Sequence, residues 1–202
     1  MLIVTGGLIK NNRITTQIYR SIEHGQMPSV SGIVLHQTSS NYTAKTLAAY
    51  AFRPSGTGTH FLINPAGQIF QTARINQICW HIGRIRSHCM QMHQCNPSDK
   101  AQLDELKSKY TDKDEYDRQV DAHERKKAAK DRYPTNVDSI GIEVVGAPVN
   151  RSYRQPTPAQ NSSSKWLTEE LLLTLNLTRD RIYPHGLIDP RKQESEGRLI
   201  QY

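Results

Sequence analysis

The chain has 202 residues and a formal net charge of +7 at pH 7, with a sequence pI of about 9.4. This length suits one domain with a sizeable core and leaves little room for a second. The basic balance favours an anionic partner, such as a nucleic acid, a membrane surface or a cell-wall polymer that carries peptide carboxylates. No apolar run approaches the roughly 20 residues that span a bilayer, and the start, MLIVTGGLIKNNR, lacks the pattern of a secretory signal. We therefore expect a protein that is made in the cytoplasm without a signal peptide and is not inserted in a membrane.

Strand and helix signals alternate in the first half of the chain. Residues 31–38, SGIVLHQT, form an apolar, β-branched run that predicts a buried strand with His36 near its end. The alanine- and leucine-rich segment 43–52 begins with a threonine suited to capping and predicts a helix. Residues 60–70, HFLINPAGQIF, carry two apolar runs around an Asn-Pro-Ala-Gly turn, the pattern of a β-hairpin.

A charged segment at about 84–136 has few large apolar residues, which favours a solvated insertion. Apolar and aromatic residues at helical spacing predict a helix over roughly 113–130. The three cysteines of the chain, Cys79, Cys89 and Cys95, are too few for a disulfide scaffold. A Cys89–Cys95 bridge requires an oxidising compartment, so free thiols are the expectation for a chain without an export signal.

Beyond this segment, residues 139–146, SIGIEVVG, return to a buried-strand pattern. A loop rich in Pro, Ser, Asn and Gln is predicted over 147–164, followed by a core-facing helix over 165–177, whose leucines lie at helical spacing. The order of elements predicts an α/β protein with a mixed central β-sheet flanked by helices. We expect one domain over residues 1–202, with the insertion at about 84–136.

Two histidines lie at the ends of rigid elements. His36 closes a buried strand, and His185 follows a helix and a short connection. With a nearby acidic side chain they would meet the requirement of a catalytic zinc ion, which takes three protein ligands and an open position. The sequence HCMQMHQC, residues 88–95, is a rival metal site, but its spacing fits no strong zinc pattern.

Five motifs in order resemble the zinc-dependent N-acetylmuramoyl-L-alanine amidase family: LHQT (35–38), THFLINPAGQIFQ (59–71), CWHIG (79–83), SIGIEVVG (139–146) and HGLIDPRKQESEG (185–197). Phage lysozyme-type amidases, cytoplasmic anhydromuropeptide amidases and peptidoglycan recognition proteins share this fold. The resemblance implies a peptidoglycan amidase that cleaves the amide between N-acetylmuramic acid and L-alanine. It also implies a Zn²⁺ ion bound by His36 and His185.

The third zinc ligand departs from the family pattern. In the family, an acid or a cysteine follows a lysine, as in Lys-x-Asp-Pro-Gly, whereas this chain continues from Lys192 as Gln-Glu-Ser-Glu-Gly. Counting from the lysine selects Glu194, and counting back from the glycine lands on Ser195, next to Glu196. Glu194 and Glu196 both remain candidate metal ligands, and Asp189 is a weaker third choice.

The resemblance also implies the catalytic groups. The family supplies a general base either from a tyrosine before the hairpin histidine or from a glutamate in the strand Ile-Gly-Ile-Glu. Here Thr59 precedes His60, so Glu143 is the candidate base, and a glutamate in an apolar strand needs a partner such as a metal ion. Zinc lowers the pKa of its bound water toward neutrality. Lys192 matches the cation that stabilises the oxyanion.

Four further residues are candidates for substrate binding. His81 matches a family position near the cleft, and Thr59 and His60 open the hairpin motif. Arg191 is a candidate for binding a peptide carboxylate through its planar fork, with a solvated arginine as the alternative.

Without an export signal, such an enzyme would act on cytosolic muropeptides, leave through a phage lysis route or be injected by a secretion machine. The cysteine pair of the insertion and residues 133–138, YPTNVD, are similar to amidases of bacterial antagonism, including type VI secretion effectors; a phage endolysin is the other setting. The protein would then act in the periplasm or on the cell wall after delivery or lysis, and an effector would have a cognate immunity protein. A non-catalytic peptidoglycan-binding module is the alternative function, although Glu143 and Lys192 favour catalysis. Nucleic-acid binding is not expected, because the sequence has no helix-turn-helix or RNP-type motif.

Overall fold

The computed structural model describes residues 1–52 and 56–202. Its strands, in chain order, are β1 (Ile3–Thr5), β2 (Leu8–Lys10), β3 (Ile14–Thr16), β4 (Gly32–Gln37), β5 (Phe61–Ile63), β6 (Ile69–Gln71), β7 (Ser139–Val144) and β8 (Ile182–Pro184). Its α-helices are α1 (Thr43–Phe52), α2 (His88–Gln91), α3 (Pro97–Lys109), α4 (Lys113–Glu124), α5 (Pro158–Leu175) and α6 (His185–Ile188). Short 3₁₀ turns lie at Arg20–Ile22, Ala129–Asp131 and Arg179–Arg181.

A mixed six-stranded sheet forms the centre of the fold, in the order β3-β6-β5-β7-β4-β8. Strands β5 and β6 pair antiparallel, as the predicted hairpin requires, and the other neighbours pair parallel. Strands β1 and β2 form a separate antiparallel hairpin. The predicted α/β class, with a mixed sheet flanked by helices, is confirmed.

The two faces of the sheet carry different cores because side chains alternate along a strand. Ile33 and Leu35 of β4 point to the face that α5 covers with Leu167 and Leu171. Val34, between them, packs on the opposite face in a second cluster with Ile82, Ile85, Tyr133, Tyr183 and Ile188. Both faces of β4 are therefore buried, as is usual for parallel strands.

This alternation brings two chemically important residues together. His36 follows Leu35 and so shares the face of Val34, and its register partner on β7 is Glu143. Glu143 lies between Ile142 and Val144, which point to the α5 face. The carboxyl ends of the two central parallel strands therefore present His36 and Glu143 side by side.

Several predicted boundaries need correction. The helix predicted over 113–130 ends at Glu124, and α3 was not predicted. The loop predicted over 147–164 is wrong from Pro158 onward, because Thr157 and Gln160 form a capping box that starts α5 there. The strand predicted over 31–38 and the helix predicted over 43–52 agree with β4 and α1.

The cysteines also differ from expectation. Cys89 and Cys95 form a disulfide that joins α2 to the loop just before α3, so the prediction of free thiols is wrong for this pair. Cys79 is a free thiol in the core. Among the described residues, no helix is both long enough and apolar enough to cross a membrane.

Candidate metal centre

Three potential ligand atoms converge at the carboxyl end of β4. His36 Nδ1 lies 2.9 Å from His185 Nδ1, which lies 2.7 Å from Glu196 Oε1; His36 Nδ1 and Glu196 Oε1 are 3.7 Å apart. All three residues are buried, with 1–4% of their surface exposed. This trio forms a group that could hold a metal ion.

The separations fit a zinc ion. Bonds of about 2.0–2.1 Å in a tetrahedral arrangement place ligand atoms about 3.3 Å apart, and the three observed separations bracket that distance. Two imidazole nitrogens and a carboxylate oxygen also match the ligand chemistry of zinc. Hydrogen bonds alone do not account for these short contacts. His185 Nδ1 faces both His36 Nδ1 and Glu196 Oε1, and its single proton cannot be donated fully to both.

Burial and the facing His185 ring lower the pKa of His36 to about 3, so His36 is neutral at pH 7, as a metal ligand must be. Although burial favours the neutral acid, hydrogen bonds and charge from His185 and His36 hold the pKa of Glu196 well below its usual range. The carboxylate of Glu196 is thus ionised, and its lone pairs lie beside those of the two histidine nitrogens, as in a metal site without its ion.

Each histidine of the trio has a group behind it. His36 Nε2 lies 2.9 Å from His81 Nδ1, whose ring in turn contacts Ser139 Oγ at 3.2 Å through Nε2. His185 Nε2 is buried without a hydrogen-bond partner, 3.7 Å from Asp189 Oδ2. Carboxylates and other groups behind ligating histidines are the usual outer shell of a metal site. Asp189 thus lies behind the trio instead of within it.

The structure separates the two candidates for the third ligand. Glu196 lies in the trio, whereas the side chain of Glu194 is 78% exposed and pairs with Arg198. The rival site at 88–95 loses its thiolates to the disulfide.

Glu143 occupies the wall of the same cleft. Burial, followed by the nearby charge of Glu196, raises the pKa of Glu143 to about 7. Tyr50 Oη donates a hydrogen bond to Glu143 Oε2 at 3.1 Å, and Thr59 Oγ1 lies 2.9 Å from Tyr50 Oη. The carboxylate is therefore held in place and titrates near neutrality, which suits proton transfer. Tyr50 was not predicted, since on α1 it has the pattern of an ordinary core residue.

The cleft has a volume of about 400 Å³ and brings most of the predicted residues together; it is lined in part by His36, Thr59, Trp80, His81, Glu143, His185, Arg191, Lys192 and Glu196. Lys192 Nζ lies 3.8 Å from Glu196 Oε2. The guanidinium of Arg191 is fixed on Asp189 by two hydrogen bonds and packs against Gly83, where an added Cβ would lie 1.2 Å from Arg191 Nη2.

His60, a candidate for substrate binding, is not among the residues that line the cleft. It is fully buried, its Nδ1 accepts a hydrogen bond from the Gly141 amide, and its Nε2 donates to Gln77 O. Both ring nitrogens are engaged, so His60 joins the hairpin to β7 and has no polar atom to offer a substrate. Thr59 does line the cleft, through the hydroxyl that contacts Tyr50.

An α/β fold with a buried His-His-Glu trio, a carboxylate that titrates near neutrality and a lysine in one cleft is typical of a metal-dependent hydrolase. The sequence matches the N-acetylmuramoyl-L-alanine amidase family, Amidase_2, over residues 26–197. The chain belongs to this family.

Solved structures share the fold. A selenomethionine derivative of AmpD superposes with a TM-score of 0.61 at 16% identity, covering 98% of this chain and 94% of that one. Drosophila peptidoglycan recognition protein SD gives a TM-score of 0.52 at 16% identity over 93% and 92% of the two chains. The catalytic domain of XlyA gives 0.50 at 15% identity over 86% and 84%. No curated protein has significant sequence similarity to the chain.

Proposed function

We propose that the protein is a zinc-dependent peptidoglycan amidase that hydrolyses the amide between N-acetylmuramic acid and the L-alanine of the stem peptide. The observation that carries this proposal is the convergence of His36, His185 and Glu196 at the base of a cleft that also contains Glu143 and Lys192. Membership of the amidase family supports the reaction.

Zinc would be held by His36 Nδ1, His185 Nδ1 and Glu196 Oε1. When bound, the ion supplies a Lewis acid and a water molecule activated at neutral pH. The outer groups His81 and Asp189 orient the two imidazoles.

Glu143 is the general base in this proposal. With a pKa of about 7 it is partly ionised at neutral pH, so it can take a proton from the attacking water and return one to the leaving amine. The hydrogen bond from Tyr50 fixes the carboxylate for both steps. Lys192, whose ammonium group lies 3.8 Å from Glu196 Oε2, would be the cation that stabilises the negative charge on the amide oxygen.

The substrate would lie along the cleft past Thr59, His81 and Arg191. The basic charge of the chain suits an anionic wall polymer. We further propose that residues 1–202 act as one amidase domain with an insertion at about 84–136. The setting is delivery as an antibacterial effector with a cognate immunity protein, or release as a lysis enzyme.

The test is zinc content together with stem-peptide release from purified peptidoglycan, for the wild type and Glu143→Gln. The proposal predicts that Glu143→Gln keeps its zinc and loses activity by about 10²- to 10⁴-fold. If the wild type binds peptidoglycan but releases no peptide, even with added zinc, the result would contradict the amidase proposal and support a non-catalytic recognition module.

A further inference from the structure

The loop that enters β7 makes an unusual set of contacts with His81. Asn136 Oδ1 accepts hydrogen bonds from the backbone amides of His81 and Ile82, at 2.9 and 2.7 Å, and Asn136 Nδ2 donates to Ile82 O at 2.8 Å. One side chain therefore clamps the backbone on either side of the His81 carbonyl. This clamp joins the two ends of the charged segment, since residue 81 lies just before it and residue 136 closes it.

The ring of His81 is fixed from the same loop. Ser139 Oγ donates its single proton to Thr135 O at 2.6 Å, so toward the His81 Nε2 atom, 3.2 Å away, the hydroxyl can only accept. His81 Nε2 must therefore carry the ring proton. Thr135 itself is held by Asp138, which accepts from its amide and its hydroxyl at 2.7 and 2.8 Å.

This assignment propagates to the metal centre. A neutral imidazole has one protonated nitrogen, so His81 Nδ1 is left with a lone pair. That lone pair faces His36 Nε2 at 2.9 Å and requires a proton there. His36 Nδ1 is then the unprotonated nitrogen, and it is the atom that faces His185 and Glu196.

The ring of His81 packs closely against β7 on one side and borders the cleft on the other. A Cβ at residue 141 of β7 would lie 2.9 Å from His81 Nδ1 and 3.0 Å from Thr59 Cγ2, so Gly141 makes room for the ring. Ser139 is fully buried, so its hydroxyl makes its hydrogen bonds to protein atoms.

We propose that Ser139 and Asn136 are positioning residues, which act through His81 to keep the lone pair of His36 Nδ1 directed at the metal centre. The inference rests on the proposed zinc site and gives residues 133–138, YPTNVD, a function: they hold a hydrogen-bond relay behind a metal ligand. The hydroxyl of Ser139 favours the Nε2-protonated tautomer, beside a hydrogen bond of the ring to the Ser139 backbone. Asn136 fixes the backbone that carries the ring.

The test uses Ser139→Ala and Asn136→Ala, with Ser163→Ala as the matched control. Ser163 also donates its hydroxyl to a backbone carbonyl, that of Gly67 at 2.6 Å, but does so on α5, outside the cleft. Zinc affinity is measured by competition with a chelator. The dissociation constant should rise by about tenfold or more for the first two variants and should not change for Ser163→Ala.

A second measurement separates tautomer control from simple packing. Two-bond ¹H–¹⁵N correlation spectra of the metal-free protein report which nitrogen of His36 and His81 is protonated. In the wild type both rings should carry the proton on Nε2, and in Ser139→Ala both should shift toward the Nδ1-protonated form. A wild-type His81 protonated on Nδ1, or unchanged spectra and zinc affinity in Ser139→Ala, would overturn the relay. If the wild type takes up no zinc, the proposed metal site fails, while these spectra still decide the relay.

Discussion

Replacing His60 with asparagine should make the protein less sensitive to mild acid. Burial lowers the pKa of His60 to about 4, from an ordinary value of 6.5. Between these two values the unfolded chain binds a proton that the folded chain does not, so the free energy of unfolding rises with pH in this window. The stability present above pH 6.5 is therefore lost as the pH falls toward 4.

The magnitude follows from the two pKa values. At about 1.4 kcal/mol for each pH unit between them, the full effect is about 3.5 kcal/mol, of which about 2.5 kcal/mol is reached at pH 4.5. His60→Asn removes the titrating ring and keeps an acceptor for the Gly141 amide. The variant will be less stable at pH 7.5, but its loss of stability on going to pH 4.5 should be smaller than that of the wild type by about 2.5 kcal/mol.

Urea unfolding at pH 7.5 and pH 4.5, in a chelator so that metal binding does not contribute, measures this difference. His93→Asn is the control, because His93 lies on the surface and its positive φ of 55° suits asparagine. Equal pH dependence in the wild type and His60→Asn would refute the assignment of His60 as a buried, neutral structural group.

Two stability predictions come from packing and cross-linking. Gly141→Ala should cost about 1–3 kcal/mol, because the new methyl group would lie 2.9 Å from His81; Gly146→Ala, whose nearest neighbour would be 3.6 Å away, should cost less than 1 kcal/mol in the same urea titration. Cys95→Ser should lower the free energy of unfolding by about 2 kcal/mol, since the bridge to Cys89 closes a short loop. A reductant should lower the wild type to the same value and leave the variant unchanged; equal stability of the oxidised and reduced wild type would contradict the disulfide.

The strand with His36 near its end was readable because its continuous apolar run matches a strand that is buried on both faces. The helix after it was readable from its alanine- and leucine-rich composition. The early start of α5 was missed, although Thr157 and Gln160 stand at the spacing of a capping box in the sequence. The helix α3, by contrast, has little apolar character and buries only Leu103, so its sequence resembles a solvated segment.

The site could be predicted only in part from the sequence. His36 and Glu143 lie on strands, whereas the third candidate ligand lies in a loop. Glu194 and Glu196 are two residues apart in a loop, where no periodicity tells inward from outward. The backbone decides: Glu196 O accepts from the Gly186 amide at 3.0 Å, and Gly197 follows with a φ of +79°, close against Leu35. Tyr50 reaches the site only through tertiary contacts, and no local pattern marks it. Asn136 lies in the motif 133–138, but its contacts with the backbone of His81 and Ile82 depend on the fold.

The measurement that tests the metal centre and the amidase together is zinc content and stem-peptide release for Glu196→Ala and Glu194→Ala beside the wild type. The two glutamates share a loop and a charge and differ in whether they face the trio. The wild type and Glu194→Ala should each hold about one zinc ion per chain and release peptide, whereas Glu196→Ala should do neither. Zinc and activity retained in Glu196→Ala, or lost in Glu194→Ala, would contradict the proposed centre.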